Sequence, residues 1–76
     1  MPAALVPFWR LRQHGVVDEA VRGGSRRRRS DGAWVLAREL RERLGPLLVT
    51  YGFDPASEIH VEEPPGQDGF RFSQGV

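Results

Sequence analysis

Hydrophobic residues recur at a helical spacing through the middle of the chain. From Ala33 to Tyr51, apolar side chains fall on one side of a helix that turns about 100° per residue. This pattern predicts an amphipathic helix with one core-facing side. Ser30 or Asp31 would cap its start, and Gly52 would follow its last turn. The stripe consists of Ala33, Leu36, Ala37, Leu40, Leu44, Leu47, Leu48 and Tyr51.

A proline interrupts this stripe. Pro46, which follows Gly45, has no backbone N–H, and its ring clashes with the preceding helical turn. We therefore expect a kink at this point, or two helices with Pro46 opening the second. Because the stripe keeps its phase across the proline, both pieces should face the same core.

The C-terminal part changes to an alternating pattern. Ile59 and Val61 alternate with polar residues, and so do Phe70 and Phe72, while the segment 64–69 between them is rich in proline and glycine. This arrangement predicts a β-hairpin whose apolar side covers the helix. Since two strands alone are marginally stable in water, a further strand could come from the N-terminal region.

The first 22 residues hold two short apolar stretches that Gly15 separates. Two short helices are expected here, the first ending at Gly15 and the second carrying Asp18 and Glu19 in its first turn. β-Branched valines and Pro7 leave a strand as the alternative for either stretch.

Residues 23–32, with the sequence GGSRRRRSDG, combine glycine and serine with a run of like charges. This composition predicts a flexible connector. The chain is therefore expected to be one small α+β domain over residues 1–76, with short N-terminal helices, a central kinked helix and a C-terminal β-hairpin.

Length and composition narrow the classes of function. With 76 residues and no cysteine, the chain excludes a multi-domain enzyme, disulfides and thiolate zinc sites. No apolar segment approaches the roughly 20 residues that a membrane helix needs, and the basic-then-apolar order of a secretory signal is missing. We expect a cytoplasmic protein with no membrane partner.

The charge is unevenly distributed, although the 11 basic and 10 acidic residues nearly cancel. Every basic residue is arginine, whose planar guanidinium suits bidentate contacts with phosphate. Four of them, Arg26–Arg29, directly precede the predicted helix, whose N-terminal N–H groups also favour anions. Trp34 and Arg38 have the i, i+4 spacing that permits a cation–π contact, and Arg41 lies on the same side.

The leading hypothesis is a non-enzymatic nucleic-acid-binding module that contacts phosphates through this surface. A solvated loop, with the tryptophan at the rim of the core, is the alternative interpretation. The residues assigned to nucleic-acid binding are Arg22, Arg26, Arg27, Arg28, Arg29, Trp34, Arg38 and Arg41.

A second hypothesis is a structural or adaptor subunit of a phage or other multi-protein assembly. Phe8, Trp9, Phe70, Phe72 and the proline-rich turn present more apolar surface than so short a chain can easily bury, and large exposed apolar groups mark partner surfaces. Phe8, Trp9 and Trp34 would contact the partner. The partner would be another protein or a second copy of the chain. The alternative is that these aromatic residues belong to the core.

An enzyme is not favoured. Glu58, His60 and Glu62 would share one face of a strand at intervals of about 6.6–6.8 Å, which suits a metal-dependent nuclease, the third hypothesis. Such alternation is also typical of any half-exposed strand. No phosphate-binding loop with a lysine and no Gly-x-Ser-x-Gly motif is found. We therefore assign no catalytic residue, metal ligand or cofactor.

Overall fold

The computed structural model describes residues 3–28, of which 26–28 by their backbone alone, and residues 33–74. Within these residues the chain forms five strands and four short helices. The strands are β1 (Ala3–Pro7), β2 (Ser25–Arg28), β3 (Trp34–Leu36), β4 (Ile59–Glu62) and β5 (Gly69–Gln74). The helices are α1 (Phe8–Gln13), α2 (Asp18–Gly24), α3 (Arg38–Arg43) and α4 (Gly45–Thr50). The predicted α+β class is confirmed.

The strands form one antiparallel sheet in the order β1-β5-β4-β3-β2. β4 and β5 form the predicted hairpin, with Val61 opposite Phe72. β1 pairs with the other side of β5, which makes it the additional N-terminal strand that a stable sheet required. β3 and then β2 extend the sheet beyond β4, so β1 and β2 are its two edge strands.

One face of the sheet is apolar and carries all four helices. Because side chains alternate along a strand, the register places Val6, Val61 and Phe72 on the same face. The helices contribute Leu11, Val21, Leu40, Leu47 and other apolar residues to the same buried cluster. The apolar cluster of buried residues is Val6, Leu11, Val16, Val21, Leu36, Leu40, Leu44, Leu47, Leu48, Phe53, Ile59, Val61, Phe70 and Phe72.

The N-terminal region forms a strand, β1, which was the alternative interpretation of its first apolar stretch, and then the two expected helices, α1 and α2. Pro7 ends β1 in an extended conformation and immediately precedes α1. Gly15 follows α1 with a φ of 73°, a left-handed conformation that glycine adopts readily, so its predicted role as a helix stop is confirmed. Asp18 and Glu19 lie in the first turn of α2, as predicted, where carboxylates interact favourably with the helix dipole.

The predicted start of the central helix is wrong. Residues 34–36 form β3, and the helix begins at Arg38 with Ala37 as its N-cap residue. Ser30 and Asp31 lie outside the described residues and are too far along the chain to cap it. Trp34 and Val35 pair with β4, and Trp34 and Leu36 pair with β2, contacts that an isolated sequence pattern does not reveal.

The break at the proline divides the central segment into two helices. α3 ends at Arg43, and α4 begins at Gly45 with Pro46 in its first turn, where a missing N–H costs no hydrogen bond. Both helices bury leucines in the same core, as the continuous stripe predicts. Gly52 follows the last turn with a φ of 88°, which matches its expected place after the helix.

The connector predicted over residues 23–32 is wrong in its first part. Gly23 and Gly24 end α2, and Ser25–Arg28 form the edge strand β2. A Cβ atom on Gly24 would collide with the side chain of Leu40, so glycine allows α2 to approach α3 closely. Charged residues are acceptable in β2 because an edge strand has one side free of strand neighbours. Residues 29–32 lie outside the described part of the chain.

Candidate nucleic-acid interface

The arginine run lies along one edge of the sheet. Arg26–Arg28 belong to β2, where the backbone of Ser25 aligns with Leu36 and that of Arg28 with Trp34. Three steps along β2 therefore correspond to two along β3, so the strand contains a bulge. The prediction that the run lies on a loop before a helix is therefore wrong for Arg26–Arg28, which belong to a strand. Arg29 lies outside the described residues.

Trp34 does not share a helix with the arginines assigned to the same surface. It lies in β3 opposite Val61 and is partly buried against the core. Residues at i and i+4 lie side by side only when both belong to one helix. The predicted helical cation–π contact between Trp34 and Arg38 is therefore wrong. The alternative interpretation of Trp34, as a residue at the rim of the core, agrees with its position.

Arg38 remains exposed at the start of α3. Its side chain is 79% accessible, and its Nε lies 3.5 Å from the Glu42 Oε1, four residues later. α3 begins two residues after β3, so Arg38 lies at the same end of the sheet as Ser25, the residue aligned with Leu36. An exposed pair of this kind contributes little stability and leaves the guanidinium accessible to a ligand.

Arg41, unlike Arg38, forms hydrogen bonds with a loop of the same chain. Its Nη1 donates hydrogen bonds to the carbonyl oxygens of Ser57, at 2.6 Å, and Pro55, at 3.5 Å, and its side chain is partly buried. A groove of about 600 Å³ separates α3 from this loop. Its lining consists of Arg38, Arg41, Glu42, Gly45, Pro55 and Ala56. The groove therefore has both signs of charge on its walls.

Arg22 is engaged within the chain. Its Nε donates to Glu63 Oε2 at 3.0 Å and its Nη2 to Glu63 Oε1 at 2.6 Å, which is a bidentate pair. Its guanidinium carbon also lies 5.9 Å from the ring centre of Phe8 and 5.2 Å from that of Phe70. The hydrogen bond from Arg22 lowers the pKa of Glu63, and the same bond raises the pKa of Arg22. A phosphate would have to displace this carboxylate.

The two aromatic residues proposed for protein binding lie in different environments. Phe8 is partly buried and meets Phe70 edge-on, with ring centres 5.2 Å apart and an interplanar angle of 76°. Trp9 is 49% exposed, and the Arg10 guanidinium carbon lies 5.7 Å from its ring centre. Of these two residues, Trp9 alone presents a large apolar surface to a partner, and the role of both in protein binding stays a prediction.

Glu58, His60 and Glu62, on and beside β4, do not come together as a metal site in the described structure. His60, 6% exposed, has its Nε2 at 2.9 Å from Glu58 Oε2, whereas Glu62 accepts a hydrogen bond of 2.9 Å from Arg71 Nη1. Over residues 3–28 and 33–74, no three histidine or acidic side chains come together as metal ligands. The geometry required for the nuclease hypothesis is therefore lacking in this part of the chain.

Sequence reasoning missed the ion pairs and hydrogen bonds that occupy several arginines. Glu63 lies 41 positions from Arg22, and Gly15, whose carbonyl accepts a 3.1 Å hydrogen bond from Arg43 Nη2, lies 28 positions away. No local spacing indicates such partners. The only available signal was the acidic composition of the C-terminal third, which opposes the basic middle of the chain.

Comparison with known protein families, with characterised proteins and with solved structures finds no match for this chain. The function is therefore argued from the residues themselves. Within the described ranges, no helix has the length and apolar character that crossing a bilayer requires.

Proposed function

We propose that the protein is a non-enzymatic module that binds the phosphate backbone of a nucleic acid. The binding surface, which we name the arginine edge, consists of Arg26–Arg28 in β2 and Arg38 at the start of α3. Each guanidinium can donate two parallel hydrogen bonds to one phosphate group. Several such groups close together supply the sequence-independent attraction that dominates nucleic-acid binding.

The observation that carries this proposal is the position of the arginine run on an edge strand. β2 is the last strand of the sheet, so no other described strand stands between it and a ligand. Protein strands and two-stranded ribbons can enter the grooves of duplex DNA, where phosphates line both sides. Arg38 is exposed and lies near the Ser25 end of β2, where the arginine run begins, so it extends the positive surface onto α3.

The proposal is narrower than the set of arginines assigned from the sequence. Arg22 and Arg41 already donate to Glu63 and to the Ser57 carbonyl, respectively, and Trp34 packs against the core. If Arg22 or Arg41 bound phosphate, it would first have to give up its hydrogen bonds within the chain, and this loss would offset part of the binding energy. These three residues are therefore expected to support the fold, and the arginine edge is expected to contact the ligand.

Salt dependence tests the proposal directly. Fluorescence anisotropy with labelled duplex DNA should show that log affinity falls linearly with log salt, with a slope of about −0.9 for each phosphate contact. The triple variant Arg26→Ala, Arg27→Ala, Arg28→Ala should flatten the slope by up to about 2.7 units. The corresponding triple lysine variant should keep most of the slope, because lysine retains the charge, and should bind more weakly, because lysine lacks the planar fork.

A matched control removes the same charge elsewhere. Arg12, Arg43 and Arg71 lie outside the arginine edge, and each contacts a group of this chain. Replacing these three by alanine should change the slope far less than the triple change in β2. Circular dichroism verifies that each variant is folded. Absence of wild-type binding at about 50 mM salt, or equal slopes for the two alanine variants, would contradict the proposal.

A further inference from the structure

The two edges of the sheet differ in charge. β2 carries three consecutive arginines, whereas β1, with the sequence AALVP, carries no charged residue. Soluble proteins usually protect a free sheet edge with charges, proline, bulges or a covering element, because its unpaired N–H and C=O groups can pair with another strand. The proline of β1, Pro7, is its last residue, so it leaves the first four positions able to donate hydrogen bonds. Among the described residues, β1 has a strand neighbour on one side alone, which is β5.

Exposed apolar side chains adjoin the uncharged edge. Leu5 aligns with Arg71 and alternates with the buried Val6, so it lies on the face of the sheet opposite the helices. It is 38% exposed, and Trp9, two residues beyond the end of β1, is 49% exposed. The edge therefore combines a strand side that faces no other described strand with two large apolar side chains.

We propose that β1 pairs with β1 of a second copy of this chain, antiparallel and about a two-fold axis near Leu5. Each copy would contribute five strands, so the dimer would contain one continuous sheet. The axis brings Leu5 beside its own copy on the outer face, where directly opposed side chains lie about 4.5–5.5 Å apart. Trp9 then adjoins the beginning of the partner's strand. The inference does not rest on the proposed nucleic-acid binding.

The chemistry of the edge favours a second copy over other occupants. Free N–H and C=O groups along a strand are complementary to another extended strand, and isologous pairing is the commonest way in which soluble proteins associate. β1 can meet itself without repulsion because it has no charge, whereas two β2 strands would oppose six arginines. The same pairing leaves the arginine edge of both copies open.

Sedimentation equilibrium of the full chain at protein concentrations of about 1 µM to about 1 mM tests this inference. This range covers the weak dissociation constants expected of a small interface. The mass should rise from 8.6 kDa towards twice that value as concentration increases. Leu5→Arg places two like charges opposite each other in the dimer and should weaken association at least about tenfold. Val49→Arg, which adds the same charge at a residue that is 61% exposed in α4, should leave association unchanged.

A residue-level measurement identifies the surface. In a mixture of isotope-labelled and unlabelled protein, contacts between Leu5 methyl groups of different copies should appear by filtered nuclear magnetic resonance. A mass of 8.6 kDa at every concentration would overturn the inference, and so would a dimer that persists in Leu5→Arg or that lacks the Leu5 contact. Because no nucleic acid is present, these outcomes are independent of the salt-dependence experiment.

Discussion

Arg22 connects three parts of the molecule through one side chain. It projects from α2, forms a bidentate pair with Glu63 between β4 and β5, and lies over the rings of Phe8 and Phe70. A guanidinium can make both kinds of contact at once because its edge donates hydrogen bonds while its face packs on aromatic rings. Arg22 therefore fastens α2 and α1 to the hairpin at the surface of the domain.

The pair between Arg22 and Glu63 should make stability depend on pH. The hydrogen bond lowers the pKa of Glu63 from its usual 4.5, so its stabilising effect is present above pH 4.5 and is lost as the pH falls through the folded-state pKa. Glu63→Gln should therefore lower the free energy of unfolding at pH 7, and its difference from wild type should shrink towards pH 3. Urea denaturation at a series of pH values measures this.

The control for this prediction is Asp68→Asn in the same connection between β4 and β5. It removes the same charge, but Arg22 pairs with Glu63 and not with this residue. The Asp68 variant should thus show a smaller loss at pH 7. An equal loss in both variants would indicate a general charge effect and would contradict a specific role for the pair.

The sequence predicts where the arginines are concentrated, but it does not predict which side chains they pair with. The concentration of arginine in the middle of the chain is evident from the sequence, and Arg38 is exposed as its place opposite the leucine stripe requires. The partner of Arg22 could not be predicted, because it depends on how the hairpin packs beside α2. The number of arginines free to bind a ligand is a property of the folded structure, and local spacing does not determine it.

At the scale of elements, strands with a clear alternation of apolar and polar residues could be predicted, whereas a strand of three residues could not. The hairpin was predicted because Ile59, Val61, Phe70 and Phe72 alternate with polar residues over two separate runs. β3 was missed because its three residues fit the helical stripe that continues into α3. Its strand conformation comes from pairing with β2 on one side and with β4, a distant part of the chain, on the other.

The close approach of β1 and β5 gives a prediction for Gly69, the first residue of β5. A Cβ atom there would overlap the carbonyl oxygen of Val6 and lie 2.8 Å from the Cα of Pro7. These are backbone atoms, so the strands would have to separate. Gly69→Ala should lower the free energy of unfolding by about 1–3 kcal/mol, measured by chemical denaturation.

Gly23→Ala is the matched control for this substitution. Gly23 lies in α2, and a Cβ atom there would meet nothing within 4 Å. Because alanine favours helix more than glycine does, this variant should be more stable than wild type by about 0.5–1 kcal/mol. A loss of stability at Gly23 as large as that at Gly69 would show that steric overlap between β1 and β5 is not the cause.

At the scale of the molecule, stability depends on a small core between one sheet face and four short helices. A domain of this length has a free energy of unfolding of roughly 4–11 kcal/mol, from typical values per residue. No helix within residues 3–28 and 33–74 exceeds seven residues, so none of them is expected to be stable alone, and packing on the sheet maintains them. Loss of one large central side chain should therefore affect every element together.

Phe72→Ala tests this dependence. Phe72 is fully buried in β5 and lies opposite both Val61 and Ala4. Truncating a buried phenylalanine typically costs about 3–5 kcal/mol, so thermal unfolding followed by circular dichroism should show Tm lowered by more than about 10 °C. Val49→Ala, on the exposed side of α4, should change Tm by less than about 4 °C, and similar shifts in both variants would contradict this account.

The position of β1 beside β5 also constrains the time at which the sheet can be completed. β1 is the first described strand to be synthesised and β5 is the last, so the register that aligns Val6 with Phe70 requires nearly the whole chain. Until then β1 lacks the one partner that it has among the described strands. Contacts of such long sequence separation slow folding, and the uncharged β1 remains open to other strands during translation. Completion of the domain is therefore expected to follow release of β5 from the ribosome.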